Sequence, residues 1–91
     1  MLFVIPAPLR ELAGGRDELQ VDGAPGSLGD ALALLWRSCP GVRDRVLTER
    51  GEVRPHVNIF VDGESIRFAQ GLATPVHAKS EIVILPAVSG G

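Results

Sequence analysis

The residues best placed to do chemistry are two adjacent glycines, Gly90 and Gly91, at the end of the sequence. They present an α-carboxylate on backbone without side chains, which can enter a channel where any Cβ atom would clash. A carboxylate is a poor electrophile until it carries a leaving group, so chemistry at this position needs an activating partner. Taken alone, the pair predicts either a reactive tail or an ordinary solvated chain end.

The other candidate reactive side chains do not form a recognisable site. Cys39 is the single cysteine, which excludes an intramolecular disulfide and indicates a reducing compartment. Its place on the apolar face of a predicted helix favours a buried packing thiol. His56 and His77 stand at strand edges without the spacing of metal ligands, so no metal site is predicted. The sequence shows neither paired carboxylates nor the residue order of a serine hydrolase triad.

Composition and charge narrow the class of protein. Of the 91 residues, 45% are hydrophobic and 22% are charged, values typical of one globular domain over residues 1–91. The formal net charge of −2 gives no support to nucleic-acid binding. Pro6 and Pro8 interrupt the first apolar run, which resembles neither a signal peptide nor a membrane span. We therefore expect a cytoplasmic protein without membrane contacts.

Two predicted strands open the sequence. Residues 2–6 form an apolar run that ends at two prolines, and residues 17–21 alternate polar and apolar side chains. The segment between them carries at most one helical turn and closes on Gly14 and Gly15. We therefore expect a β-hairpin here.

The next element is the best-defined helix of the sequence. Ser27 stands three residues before Asp30, as in an N-terminal cap, and Pro40 with Gly41 ends the helix. Apolar residues repeat between them at helical spacing and form one face: Leu28, Ala31, Leu32, Leu35 and Cys39. Residues 42–55 carry four arginines and three acids, so we expect a solvated connection with at most one short helix.

The second half predicts the remaining strands. Residues 57–61 alternate, and Asp62 with Gly63 is a strong hairpin-turn signal, after which we expect a strand that continues through Phe68. Residues 81–86 are apolar on both faces, the pattern of a strand between two neighbours. This order predicts an α+β fold with a mixed four- to five-stranded sheet and one main helix packed on one face. Composition alone does not choose among folds of two such layers.

Alternation along the strands divides their side chains between the two faces of the sheet. One set is expected to face the helix: Phe3, Ile5, Ile59, Ile82 and Ile84. The other set is expected on the outer face: Leu2, Val4, Phe60, Val83 and Leu85. An apolar outer face marks a partner site, unless a loop or the segment 40–55 covers it.

The motifs of the second half resemble the MoaD/ThiS family of ubiquitin-like sulfur carriers, in particular its CysO-like type from cysteine biosynthesis. The resemblance lies in "HVNIFVDGESIRFAQGLATPV" followed by "EIVILPAVSGG"; the first half matches in layout only. "HAKSE" stands where the family commonly has an Asp-Gly-Asp turn, and the long connection 40–55 favours the longer types. The resemblance implies a ubiquitin-like β-grasp with an extended, flexible tail over residues 86–91.

The resemblance also implies a function. An E1-like adenylyltransferase of the MoeB/ThiF type would use ATP to adenylate the Gly91 carboxylate and would then convert it to a thiocarboxylate. The chain itself would bind no cofactor and would act as a co-substrate rather than as an enzyme. Its sulfur would pass to a PLP-dependent cysteine synthase. Alternatively, the chain would be the small subunit of molybdopterin synthase and would insert its tail into the large subunit. Residues expected to contact these partners, with Gly90, are Phe60, Arg67, Val83, Leu85, Pro86, Ala87, Val88 and Ser89.

Two alternatives from other classes stay open at this point. The first is a covalent modifier whose Gly91 joins to lysines of target proteins. Lys79 is the single lysine of this sequence, which leaves little scope for ubiquitin-like chains. The second is a β-grasp interaction domain in which the two glycines are incidental.

Overall fold

The structure is a computed structural model that describes residues 1–23 and 25–86. Five predicted contact residues, Ala87, Val88, Ser89, Gly90 and Gly91, lie outside this range. Within it, five strands form one sheet: β1 (Leu2–Val4), β2 (Glu18–Gln20), β3 (Val57–Val61), β4 (Glu64–Ser65) and β5 (Glu81–Pro86). The helices are α1 (Leu28–Ser38), α2 (Pro40–Val46) and three 3₁₀ helices at Ala7–Ala13, Ile66–Phe68 and Gly71–Ala73.

The sheet is mixed, with the strand order β2-β1-β5-β3-β4. β1 and β5 run parallel to each other, and the other neighbouring pairs are antiparallel. The registers place Ile82 opposite Phe3 and Ile84 opposite Ile59. All four side chains are fully buried. Residues 81–86 thus form a strand between two neighbours, as predicted, and the first apolar segment of the sequence is one of these neighbours.

α1 covers the inner face of this sheet. Its cap is the predicted one, because the Ser27 hydroxyl accepts a hydrogen bond from the Asp30 backbone N–H at 3.2 Å. The apolar face of the helix joins the strands in one core that contains Leu28, Ala31, Leu32 and Leu35. Cys39 follows the last helical residue and is buried, so the prediction of a packing thiol is confirmed.

α2 corrects the prediction of a solvated connection. Val42 and Val46 are fully buried, and α2 packs against α1 and the 3₁₀ helix Ala7–Ala13. Gly41 permits this contact, because a Cβ atom there would stand 3.3 Å from the Leu12 side chain. The charged residues of this segment concealed a pair of valines four positions apart, the spacing that places both on one face of a helix.

The predicted strand through Phe68 is also wrong. β4 pairs with β3 over only two residues, Ser65 opposite Phe60 and Glu64 opposite Val61. The chain then turns into a 3₁₀ helix, where the Ser65 hydroxyl accepts a hydrogen bond from the Arg67 N–H. This turn buries Ile66 and leaves the Phe68 side chain 86% exposed.

The β3–β4 turn is the predicted tight hairpin, and it is tied to the start of β5. Asp62 and Gly63 have φ angles of 51° and 88°, the left-handed pair that a type I′ turn requires. The Asp62 carboxylate accepts the Glu81 N–H at 2.9 Å and the Ser80 hydroxyl at 3.1 Å. Ser80 is fully buried, so its hydroxyl depends on this acceptor.

Replacing Asp62 with alanine should therefore destabilise the protein. We expect Asp62→Ala to lower the free energy of unfolding by about 1–3 kcal/mol, because it leaves the proton of the buried Ser80 hydroxyl without its acceptor and places a Cβ residue at positive φ without a local hydrogen bond. Asp62→Asn keeps an acceptor oxygen and tolerates the turn, so it should lose less than half as much. Urea unfolding curves give both values. Equal losses in the two variants would contradict the assigned role of the carboxylate oxygens.

Candidate partner surface and tail root

The outer face of the sheet carries an apolar row at its centre. Val83 of β5 lies between Val4 of β1 and Phe60 of β3 in the strand registers. All three side chains are half-buried, and Leu85 further along β5 is 45% exposed. The neighbouring Ile84 is fully buried on the opposite face. The predicted division of side chains between the two faces is therefore confirmed.

The segment 40–55 was the alternative cover for this face. Its helix α2 instead packs with α1 on the inner side, where Val42 and Val46 join the core. The outer row is thus not buried by α2. An apolar sheet face of this kind has the character of a partner site.

The tail begins where β5 leaves the sheet. The backbones of Leu85 and Pro86 pair with Asn58 and Val57, so the last described residue lies beside the first residues of β3. We call this place the tail root. Five residues follow Pro86 in the sequence, and a chain of that length can span at most about 17 Å.

Arg67 is fixed next to the tail root by its own hydrogen bonds. Its Nε donates to the Asn58 side-chain oxygen at 2.8 Å. Its Nη2 donates to the carbonyls of Val57 at 2.8 Å, Pro55 at 2.9 Å and Arg54 at 3.4 Å. Nη1 has no hydrogen-bond acceptor among the described residues. The guanidinium therefore holds the entry of β3 and keeps one nitrogen available, while its contact with a partner stays a prediction.

A serine, a histidine and an aspartate do meet in the fold, at the far end of β5. The His77 Nε2 lies 3.6 Å from an Asp62 carboxylate oxygen, and His77 Nδ1 accepts the Lys79 backbone N–H. However, the Ser80 hydroxyl donates to Asp62 rather than to the imidazole, and the serine is fully buried. The arrangement lacks a serine–imidazole contact and an accessible nucleophile, and we interpret it as structural.

The described part of the chain offers neither a metal site nor a membrane-spanning helix. No group of three or more histidine, cysteine, aspartate or glutamate side chains could hold a metal ion within residues 1–23 and 25–86. In those residues, no helix has the length and hydrophobicity needed to cross a bilayer.

The structure also contains a groove that the sequence did not indicate. It has a volume of about 340 Å³ and lies beside the tail root. Its walls come from separate segments of the chain, and the lining residues are Glu52, Val53, Val57, Ile66, Arg67, Gly71 and Leu72. Only tertiary structure brings these segments together, so no local pattern could have shown the groove.

Comparison with known proteins gives consistent matches over nearly the whole chain. A family model described as "ThiS family" matches residues 3–91. The sulfur carrier protein CysO of Mycobacterium tuberculosis is 35% identical over 89 residues, which cover 96% of this chain and 94% of that protein. Small archaeal modifier protein 1 of Haloferax volcanii is 36% identical over 86 residues, 93% of each chain.

Solved structures match as well. A chain in the crystal structure of the Amycolatopsis orientalis BexX/CysO complex superposes with a TM-score of 0.88 at 29% identity. The match covers 99% of this chain and 98% of that chain. The two relatives named by sequence similarity are a sulfur carrier protein and a small archaeal modifier protein.

Proposed function

The chain belongs to the ThiS family and has the ubiquitin-like β-grasp fold, and from this premise we propose that it is a sulfur carrier of the CysO type. The observation that carries the proposal is the position of the end of β5. The central strand β5 places its end beside an apolar outer face, and the sequence continues from it as "AVSGG". Full-length similarity to a protein named as a sulfur carrier supports the same function.

The proposed chemistry uses the Gly91 α-carboxylate. Its oxygen attacks the α-phosphorus of ATP in an E1-like enzyme of the MoeB/ThiF type, and pyrophosphate leaves. A sulfide equivalent then attacks the acyl carbon of the adenylate, and AMP leaves to give the thiocarboxylate. ATP is a substrate of the activating enzyme, and this chain needs no bound cofactor. We place these steps in the cytoplasm, where ATP is available.

The apolar outer face supplies the affinity that the tail cannot. Ordering backbone costs about 1–2 kcal/mol per residue, so threading Ala87 to Gly91 into an enzyme is unfavourable by itself. Burial of Phe60, Val83 and Leu85 against the enzyme offsets that cost at about 25 cal/mol per Å² of apolar surface. In this proposal Pro86, Ala87, Val88, Ser89 and Gly90 contact the walls of the enzyme channel that leads to the nucleotide.

As the acceptor of the sulfur we propose a PLP-dependent cysteine synthase, which the resemblance to the CysO-like type implies. The large subunit of molybdopterin synthase is the other acceptor that suits a thiocarboxylate tail. A protein modifier is the second candidate function, supported by the 36% identity to small archaeal modifier protein 1. In that case Gly91 would form an amide with a lysine of another protein.

Intact mass of the protein after reaction tests the carrier function. We expect incubation with ATP, sulfide and the E1-like enzyme of the same organism to replace one oxygen of the chain by sulfur. Omitting ATP is the matched control, because adenylation cannot occur without it. An unchanged mass, with an enzyme that activates another carrier under the same conditions, would refute the proposal. Amide adducts to other proteins without the sulfur-bearing species would favour the modifier.

A further inference from the structure

The groove beside the tail root has the composition of a small docking site. Its apolar walls are Val53, Val57, Ile66 and Leu72, and Glu52 and Arg67 stand at its polar edge. It is separate from the apolar outer face, because Val57 and Ile66 are buried on the core side of the sheet. The function proposed above makes no use of it.

Phe68 directly follows Arg67, a residue that lines the groove, in the chain. Its side chain is 86% exposed, whereas the next most exposed large hydrophobic side chain among the described residues, Leu85, is 45% exposed. Aromatic residues are enriched among the side chains that dominate binding energy at protein interfaces. Because an exposed ring contributes little to the stability of the fold, the Phe68 ring is a candidate for intermolecular contact.

We propose that Phe68 and the groove form a second contact surface for the activating enzyme, which inserts an apolar side chain into the groove and sets a carboxylate against Arg67. The inference rests on the proposed function and names a part of the interface beyond the outer sheet face. The carboxylate follows from charge complementarity. Arg67 Nε and Nη2 are held by the chain itself, so the guanidinium is a pre-positioned cation whose Nη1 can pair with a carboxylate.

The length of the tail explains why the occupant is the enzyme that receives Gly91. From Pro86 the remaining five residues reach at most about 17 Å, so an enzyme that encloses the terminal carboxylate has its surface within that distance of the tail root. The groove lies at that place, because its lining residue Val57 pairs with Pro86. An enzyme that encloses Gly91 therefore approaches the side of the molecule that carries the groove.

Calorimetric titration of the full chain with the activating enzyme tests the inference. We expect Phe68→Ala to weaken binding by about 10-fold or more, since a phenyl ring loses its buried contact. Its unfolding midpoint should equal that of the wild type, because the ring is exposed. Lys79→Ala, an exposed change near the opposite end of β5, is the matched control and should bind as the wild type does. The backbone amide signals of Val53 and Leu72 should shift when enzyme is added.

The outcomes separate this inference from the function on which it rests. If the wild type binds the enzyme and acquires sulfur, and Phe68→Ala binds equally well, the second surface is refuted. The carrier function then stands. Failure of the wild type to bind the enzyme overturns both. Weaker binding of Phe68→Ala to the sulfur acceptor alone, or loss of a dimer in light scattering without any change in enzyme binding, assigns the ring to another partner and also overturns the inference.

Discussion

Deletion of Gly91 should abolish thiocarboxylate formation and leave the fold unchanged. The deletion makes Gly90 the terminal residue, so the chain still ends in glycine, but its carboxylate is withdrawn by about 3.3–3.6 Å. Misplacement of a reacting group by about 1 Å can already reduce a rate 100-fold, so the rate of adenylation should fall by considerably more. Intact mass and pyrophosphate release with the E1-like enzyme measure the loss.

A second variant separates tail length from side-chain bulk. Gly90→Val keeps the terminal carboxylate in place and adds a branched Cβ to the stretch that must enter the enzyme. If the channel is as narrow as the two glycines indicate, this variant should fail as completely as the deletion. Unfolding curves should match the wild type in both cases, because neither change alters a residue of β5 or of the hydrophobic core. Normal activation of the shortened chain would contradict the assignment of Gly91 as the reacting residue.

The sequence was most informative where local pattern and burial agree. β1 and β5 were recognisable because they are apolar on both faces, which is the pattern of strands at the centre of a sheet. The turn at Asp62 and Gly63 was recognisable because few residue pairs accept two successive positive φ angles. The cap of α1 was likewise a local signal, because a serine hydroxyl can accept a hydrogen bond from the backbone N–H three residues later.

The errors arose where tertiary contacts decided a weak local pattern. α2 looked like a solvated connection because charged residues surround Val42 and Val46. A helix this short is not stable alone, and it is stabilised by its contacts with α1 and Leu12. The alternation of Ile66 and Phe68 imitates a strand, but β4 ends after Ser65 and the segment turns. That error also hid the exposure of Phe68.

The candidate site likewise has features that a local pattern predicts and features that depend on tertiary contacts. Period-two alternation was sufficient to assign Phe60, Val83 and Leu85 to the outer face, because register follows directly from the hydrophobic pattern. The hydrogen bonds of Arg67 could not be inferred, since they depend on carbonyls just before and at the start of β3, which lie ten or more positions away in the sequence. Sequence alone therefore identified the outer face but not the groove beside the tail root.

The two faces of β5 can be tested with one pair of neighbouring residues. Ile84 is fully buried between the inner face and α1, whereas Leu85 is 45% exposed on the outer face. We expect Ile84→Ala to lower the free energy of unfolding by about 2–5 kcal/mol, because it removes buried methyl groups and leaves a cavity in the core. For a domain whose total stability is about 5–15 kcal/mol, such a loss is a large fraction.

Leu85→Ala is the matched control for this prediction. It removes a similar volume one position further along the same strand, and on a partly exposed site it should cost less than half as much stability. Urea unfolding monitored by circular dichroism gives both values. Because the outer face is proposed to bind the activating enzyme, the same Leu85 variant should fold normally and bind that enzyme more weakly. A Leu85 variant as unstable as the Ile84 variant would mean that the outer face is a second core surface, and the proposed partner site would then have to lie elsewhere.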